Sequence, residues 1–246
     1  MSPLRSEVSE LVDALSWDEV LNAYAISSLL HPEEYELVIE SEGGLAVVAL
    51  YKFSRSFVAR GDATALAKLT RKADELSGCW CYAALPRDLR LFELARGVGL
   101  VVEEYLMTVD RGTFRPRLVH ESGPLREEHL GLVPICDDAP YERVELEYMV
   151  REGRAYGAFT EEGDVASVAF LQDSTPSVAM IGGVYTRADL RGMGYASSCV
   201  SALVESLLSD FAVVGLTVSA DNPPALRLYE RLGFRPYSKL VSFEVL

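Results

Sequence analysis

The sequence predicts an α/β chain in two halves, with helices and strands alternating around a mixed sheet. Three observations predict it. Composition is ordinary for a globular protein, with 49% hydrophobic and 24% charged residues over 246 positions, a length that suits one large domain or two small ones. Helix-period and strand-period apolar patterns alternate along nearly the whole chain. Between them, residues 110–124 concentrate proline, glycine and charge, which reads as a boundary. We place an N-terminal α/β domain at residues 1–115 and a second domain at 116–246.

The elements follow in order. Residues 7–15 and 18–30 have helical apolar spacing, with Ser16 available as a cap before the second. Residues 35–40 and 45–53 read as strands joined at Glu42-Gly43-Gly44, and 57–59 extend or follow them. Asp62 can cap a helix carrying Leu66, Leu69, Ala73 and Leu76. A short apolar strand, 79–85, stops at Pro86; a helix over 88–96 ends near Gly97; 100–109 is a strand. In the second half, 125–132 are helix-like and 141–150 form a helix. Strands 155–160 and 164–172 flank the turn Glu161-Glu162-Gly163, and 178–185 is an apolar strand. Val200, Leu203, Val204, Leu207 and Leu208 fall on one helix face. Residues 211–219 are almost continuously apolar, as in a strand buried on both faces. A short helix over 222–232 and a strand over 237–245 close the chain.

The charge excludes some functions. With 23 Lys+Arg against 37 Asp+Glu the net charge is −14, a poor basis for general nucleic-acid binding, which needs a cationic surplus. It leans mildly toward a cationic partner. The N-terminus lacks an apolar signal core, and no run approaches the roughly 18 apolar residues of a membrane span. A cytoplasmic protein, with neither nucleic acid nor membrane as partner, is expected. Cys79, Cys81, Cys136 and Cys199 show no zinc spacing, so they read as small buried residues and no metal is expected.

The sharpest local signal is Arg191-Gly192-Met193-Gly194-Tyr195-Ala196, between an apolar strand and an amphipathic helix. Closely spaced glycines let the backbone approach a ligand, and the free amides of a helix start favour an anion such as a pyrophosphate. The loop has no Gly-Lys-Ser/Thr ending, and Ser197 stands where a dinucleotide fingerprint wants Gly or Ala. Alone, the pattern also fits a plain tight turn. The segment from Asn222 to Phe234 has its own structural explanation: Asn222 as N-cap, Pro223 at the first helical position, Gly233 as stop.

Together the two segments carry more. Val184-Tyr185-Thr186, then Arg191 through Ala196, then Asn222, then Leu228-Tyr229-Glu230-Arg231-Leu232-Gly233-Phe234 resembles the GNAT superfamily of acyl-CoA-dependent N-acetyltransferases. Arg191, Gly194 and Ala196 match its Arg/Gln-x-x-Gly-x-Gly/Ala motif; the later run is similar to its Asn-x(2)-Ala-x(2)-Leu-Tyr-x(2)-Leu-Gly-Phe ending. The match is strong over 178–235, looser over 125–173 and faint before 110. The resemblance implies a mixed, mainly antiparallel sheet flanked by helices, with acetyl-CoA as co-substrate. It implies that backbone at 181–186, including Val184, Tyr185 and Thr186, pairs with the pantetheine arm. Amides of Gly192, Met193, Gly194, Tyr195, Ala196 and Ser197, beside Arg191, would hold the pyrophosphate. Asn222 would touch the cofactor arm, and Tyr229 would act as general acid to the leaving thiolate.

That chemistry is sound on its own terms. An amine attacks the thioester carbonyl, backbone amides can stabilise the oxyanion, and a neutral phenol can protonate the thiolate. The strand over 178–185 holds no carboxylate, so the base stays open among Glu145, Glu147, Asp137 and His129. The acceptor is an amine of a small molecule or protein; the oligomeric state is not legible. Residues 57–109 repeat the element order of 178–245. They are either a degenerate GNAT-like copy that shapes the substrate site or an unrelated α/β domain. In such a copy Phe92 lacks the tyrosine hydroxyl, and Ala59-Arg60-Gly61-Asp62 lacks the Gly-x-Gly/Ala pattern. A non-catalytic acyl-CoA sensor or scaffold is the alternative function.

Overall fold

The computed structural model describes residues 3–72, 74–133 and 139–246. In chain order the elements are α1 (Pro3–Leu15), α2 (Ala23–Leu30), β1 (Tyr35–Glu40), β2 (Ala46–Tyr51), β3 (Ser56–Gly61), α3 (Ala63–Lys72), β4 (Trp80–Ala84), α4 (Pro86–Ala95) and β5 (Val98–Asp110). There follow β6 (Ser122–Pro124), α5 (Arg143–Arg151), β7 (Ala155–Phe159), β8 (Val165–Ser174), β9 (Val178–Thr186), α6 (Tyr195–Asp210), β10 (Val213–Ser219), α7 (Pro223–Arg231) and β11 (Arg235–Val245). The chain forms two compact units: residues 1–106 with 217–221 and 236–246, and residues 107–216 with 222–235. The end of β10 and nearly all of β11 thus group with the first half. No helix of the described residues is long and apolar enough to cross a membrane.

In the first unit β1, β2 and β3 form an antiparallel meander, with Val38 opposite Val48 and Val48 opposite Ala59. The chain crosses over through α3 and returns as β4, parallel to β3, which β11 joins antiparallel. Phe57, Leu66, Leu69, Cys81, Phe92 and Phe243 are buried in one core. In the second unit β6, β7, β8 and β9 are successively antiparallel. A crossover through α6 returns as β10, parallel to β9. The expected apolar face of α6 is buried throughout, from Val200 to Leu208. Both units therefore repeat one order: meander, helix, parallel strand, helix. Both are mixed, mainly antiparallel sheet flanked by helices.

Four local expectations change. The second helix starts at Ala23 rather than 18, because the Asn22 side chain is engaged elsewhere: its Nδ2 donates to the Leu15 carbonyl and its Oδ1 accepts from Arg60. Ser16 is no cap, since its hydroxyl donates back to Val12. Helix α3 ends at Lys72 and Leu76 sits on a separate 3-10 turn; Ala73 lies outside the described residues. Residues 125–132 hold only the 3-10 turn Glu127–His129. The strand β6 precedes it, with Pro124 opposite Tyr156, on an edge where a missing N–H is tolerated.

The proline-rich stretch is pinned along α6. The Arg111 guanidinium donates to the carbonyls of Leu208 and Ser209 at 2.6 and 2.9 Å. The Arg117 amide donates to Ser201 Oγ, and the amides of Val119 and His120 donate to Ser198 Oγ, at 2.9–3.1 Å. Ser198 and Ser201 are fully buried by this strap. Near its start, the Arg115 amide donates to the Leu232 carbonyl at the end of α7.

Candidate active site

Strand β9 supplies the first wall. Its parallel ladder with β10 runs from Val178 opposite Val213 to Met180 opposite Gly215 and stops. Residues 181–186 continue paired with β8, as Leu171 opposite Ile181 and Ser167 opposite Thr186. The register shifts between Val168 and Phe170, an extra β9 residue that bends the strand. Gly183 sits in the shift at φ +60°, and any Cβ there would collide with the Phe170 ring.

Beyond Thr186 a 3-10 turn, Ala188–Leu190, leads to the glycine loop. Arg191 ties loop to strand: its Nε donates to the Thr186 carbonyl at 3.1 Å, and its guanidinium lies 5.4 Å from the Tyr185 ring centroid. Gly192 has φ +79° and open space beside it. Gly194 is the N-cap of α6 at φ +97°, a left-handed conformation that costs other residues about 1–2 kcal/mol. The amides of the first turn, from Tyr195 onward, have no intrahelical acceptor. Bare backbone, glycines without side chains and a helix start make a cradle that suits a pyrophosphate.

Residues of the strap complete the loop. Gly194 faces it, and a Cβ there would lie 3.0 Å from Val119 Cγ2. The His120 ring stacks on Tyr195 with centroids 3.7 Å apart, and its Nε2 is 2.9 Å from the Met193 carbonyl. Sequence reasoning missed His120. The available signal was Ser198 and Ser201, two buried hydroxyls three apart on an otherwise apolar face.

On α7, Asn222 Oδ1 accepts from the Ala225 amide at 3.2 Å, as a cap should. Tyr229 is 6% exposed and packs edge-on against Phe234. Burial, and secondarily the neighbouring Cys199, push the phenol above its ordinary value, so it stays protonated at neutral pH. Burial likewise raises the Cys199 thiol, whose Sγ donates to the Tyr156 carbonyl at 3.4 Å. Gly233, at φ +95°, stops α7 where a Cβ would collide with the Thr113 carbonyl of the strap. Of the base candidates, Glu147 is held by Arg143 and Arg151 at 3.0 and 3.6 Å. His129 Nδ1 accepts from the Arg126 amide, Glu145 is buried on α5, and Asp137 lies outside the described residues.

The corresponding places in the first unit are filled by the chain itself. The parallel ladder of β3 with β4 covers only Ser56–Trp80 and Phe57–Cys81. Just beyond it Arg60, 2% exposed, bridges both strands by donating to the carbonyls of Ala59 and Ala83 at 3.1 and 2.6 Å. It also donates to Asn22 Oδ1 and the Leu21 carbonyl. Ala83 holds φ +54°, fixed on its other side by its amide's bond to Ser242 Oγ at 3.1 Å. At the start of α3, Asp62 Oδ1 accepts from the Thr64 amide at 2.8 Å. Phe92 is buried between Phe57 and Phe243.

The comparisons agree with this geometry. No curated protein matches the chain in sequence. Among solved structures, a Drosophila protein superposes with TM-score 0.74 at 14% identity, over 98% of this chain and 96% of its own. A GCN5-related N-acetyltransferase from Kribbella flavida gives TM-score 0.66 at 16% identity, over 92% and 94%. A tandem GNAT protein from the clavulanic acid biosynthesis pathway gives 0.61 at 18%, over 97% and 94%. At such identities the likeness is one of fold, and it spans nearly the whole chain. The model of the acetyltransferase (GNAT) family matches residues 125–234, which hold the glycine loop, Asn222 and Tyr229. Residues 125–234 of this chain are a domain of the acetyltransferase (GNAT) family.

Proposed function

We propose that the protein is an acetyl-CoA-dependent N-acetyltransferase that uses one cofactor site, in its second unit. The observation that carries this reading is the buried Tyr229 in the same unit as a glycine loop at a helix start, with open space beside Gly192. Acetyl-CoA supplies the activated acetyl thioester. The backbone of residues 181–186 pairs with its pantetheine arm. Arg191, and the amides of Gly192 through Ser197, bind its pyrophosphate. Asn222 lies along the arm. A primary amine, of a small molecule or a protein, attacks the thioester carbon. The new C–N bond forms as the C–S bond breaks, and Tyr229 gives its phenolic proton to the departing sulfur. The amine proton leaves to a base or to water.

The first unit, in this reading, takes no cofactor. Arg60 occupies the opening between β3 and β4, and the Asp62 carboxylate sits on the helix start where a phosphate would bind. A carboxylate already accepting from that helix start repels a phosphate there. Phe92 has no proton to donate.

The test is thiol release from acetyl-CoA across a panel of amines, with wild type and Tyr229→Phe. General acid catalysis contributes about 10²–10⁴-fold, so the variant should lose that much of kcat while binding acetyl-CoA as before. Binding without turnover on any amine would instead make the domain an acyl-CoA sensor.

A further inference from the structure

The strap residue His120 has no place in the reading above, yet it makes two contacts with the glycine loop. The imidazole lies flat on the Tyr195 ring, 3.7 Å between centroids and 17° between planes. Its Nε2 lies 2.9 Å from the Met193 carbonyl oxygen. A carbonyl only accepts, so Nε2 carries the hydrogen and donates it. His120 is itself held in place: its amide and that of Val119 donate to Ser198 Oγ, whose own hydroxyl points to the Arg117 carbonyl. The strap is thereby fixed to the first turns of the helix whose start is the loop.

The peptide group between Met193 and Gly194 is planar and trans, so its C=O and N–H point in opposite directions. Drawing the Met193 oxygen toward the strap turns the Gly194 N–H to the opposite side, away from His120. Gly194 at φ +97° gives the peptide freedom to rotate, so an external restraint is needed to fix that direction. We propose that His120 is a positioning residue: through the Met193 carbonyl it presets the Gly194 amide toward the pyrophosphate of the bound acyl-CoA. This rests on the acyl-CoA reading of the loop. Preorganised donors bind more tightly because the ordering cost is met before the ligand arrives.

The test compares CoA with acetyl-pantetheine, which has the arm but no pyrophosphate. Binding of each is measured by calorimetry and ligand-observed NMR for wild type, His120→Phe, His120→Ala and His120→Gln. Phe keeps a ring against Tyr195 and lacks the donor; Gln keeps a donor and lacks the ring. Loss of one oriented hydrogen bond corresponds to about five- to tenfold in affinity. Phe and Ala should therefore weaken CoA binding about five- to tenfold, Gln should stay within about twofold of wild type, and acetyl-pantetheine binding should not change. Wild-type CoA affinity in His120→Phe would overturn the proposal in favour of the ring stack. Equal weakening of both ligands would overturn it in favour of a general structural role. A wild-type protein that binds neither ligand would refute the acyl-CoA reading itself, and this inference with it.

Discussion

Replacing Gly194 by alanine should uncouple cofactor binding from folding. The substitution adds one methyl at φ +97°, where the strain is about 1–2 kcal/mol. The new Cβ lies 3.0 Å from Val119 Cγ2 and 3.6 Å from His120 Nε2, so the strap must give by a few tenths of an ångström. Together these predict a loss of about 1–3 kcal/mol, which for a chain of this size lowers Tm by about 2–12 °C. Gly153→Ala is the control. It sits at φ +67° with nothing within 4 Å, so it meets the same backbone strain away from the loop. Differential scanning calorimetry should find both variants destabilised, Gly153→Ala by the backbone strain alone. Titration with acetyl-CoA should separate them: Gly153→Ala binds as wild type, whereas Gly194→Ala binds at least tenfold more weakly, because its loop amides are displaced with the strap. Wild-type affinity in Gly194→Ala would refute the assignment of the loop as the pyrophosphate site.

Two further outcomes follow from buried groups. Arg60→Met removes the guanidinium donor from the carbonyls of Ala59, Ala83 and Leu21 and from Asn22 Oδ1, so denaturant unfolding should show a loss of about 3–5 kcal/mol; a loss under about 1 kcal/mol would mean the bridge contributes nothing net. The same variant should still bind a single acyl-CoA, since Asp62 remains on α3. For Tyr229 the sign is set by burial: a general acid acts while protonated, and its value is raised above the ordinary 10.0. The kcat profile should therefore show no falling limb from this group below about pH 10; a limb there that disappears in Tyr229→Phe would contradict the burial argument.

What was legible in the sequence is local. Asn222 caps α7 through a bond to a residue three positions away, and the buried face of α6 follows from spacing alone. The glycine loop and the tyrosine helix lie in segments whose spacing is informative by itself. What was not legible depends on partners far along the chain. Residues 110–124 read as a linker because proline, glycine and charge resemble one. Their amides find Ser198 and Ser201, 78 to 84 positions away, and only tertiary packing makes that match. Arg60 belongs to the same class: a cation in a strand suggests a solvated edge, but its four acceptors come from α2's approach and from two strands. The helix expected from residue 18 failed for the same reason, because Asn22 serves Arg60. Nor does periodicity tell that β11 pairs with β4, since pairing choice is set by the sheet rather than by the strand.

The central claim is one acyl-CoA site per chain, in the second unit. Calorimetric titration of the wild-type protein with acetyl-CoA tests it most directly. The account predicts micromolar binding at one equivalent per chain. Two equivalents would contradict the filled first unit, and no binding to acetyl-CoA or longer acyl-CoAs would contradict the cofactor assignment altogether.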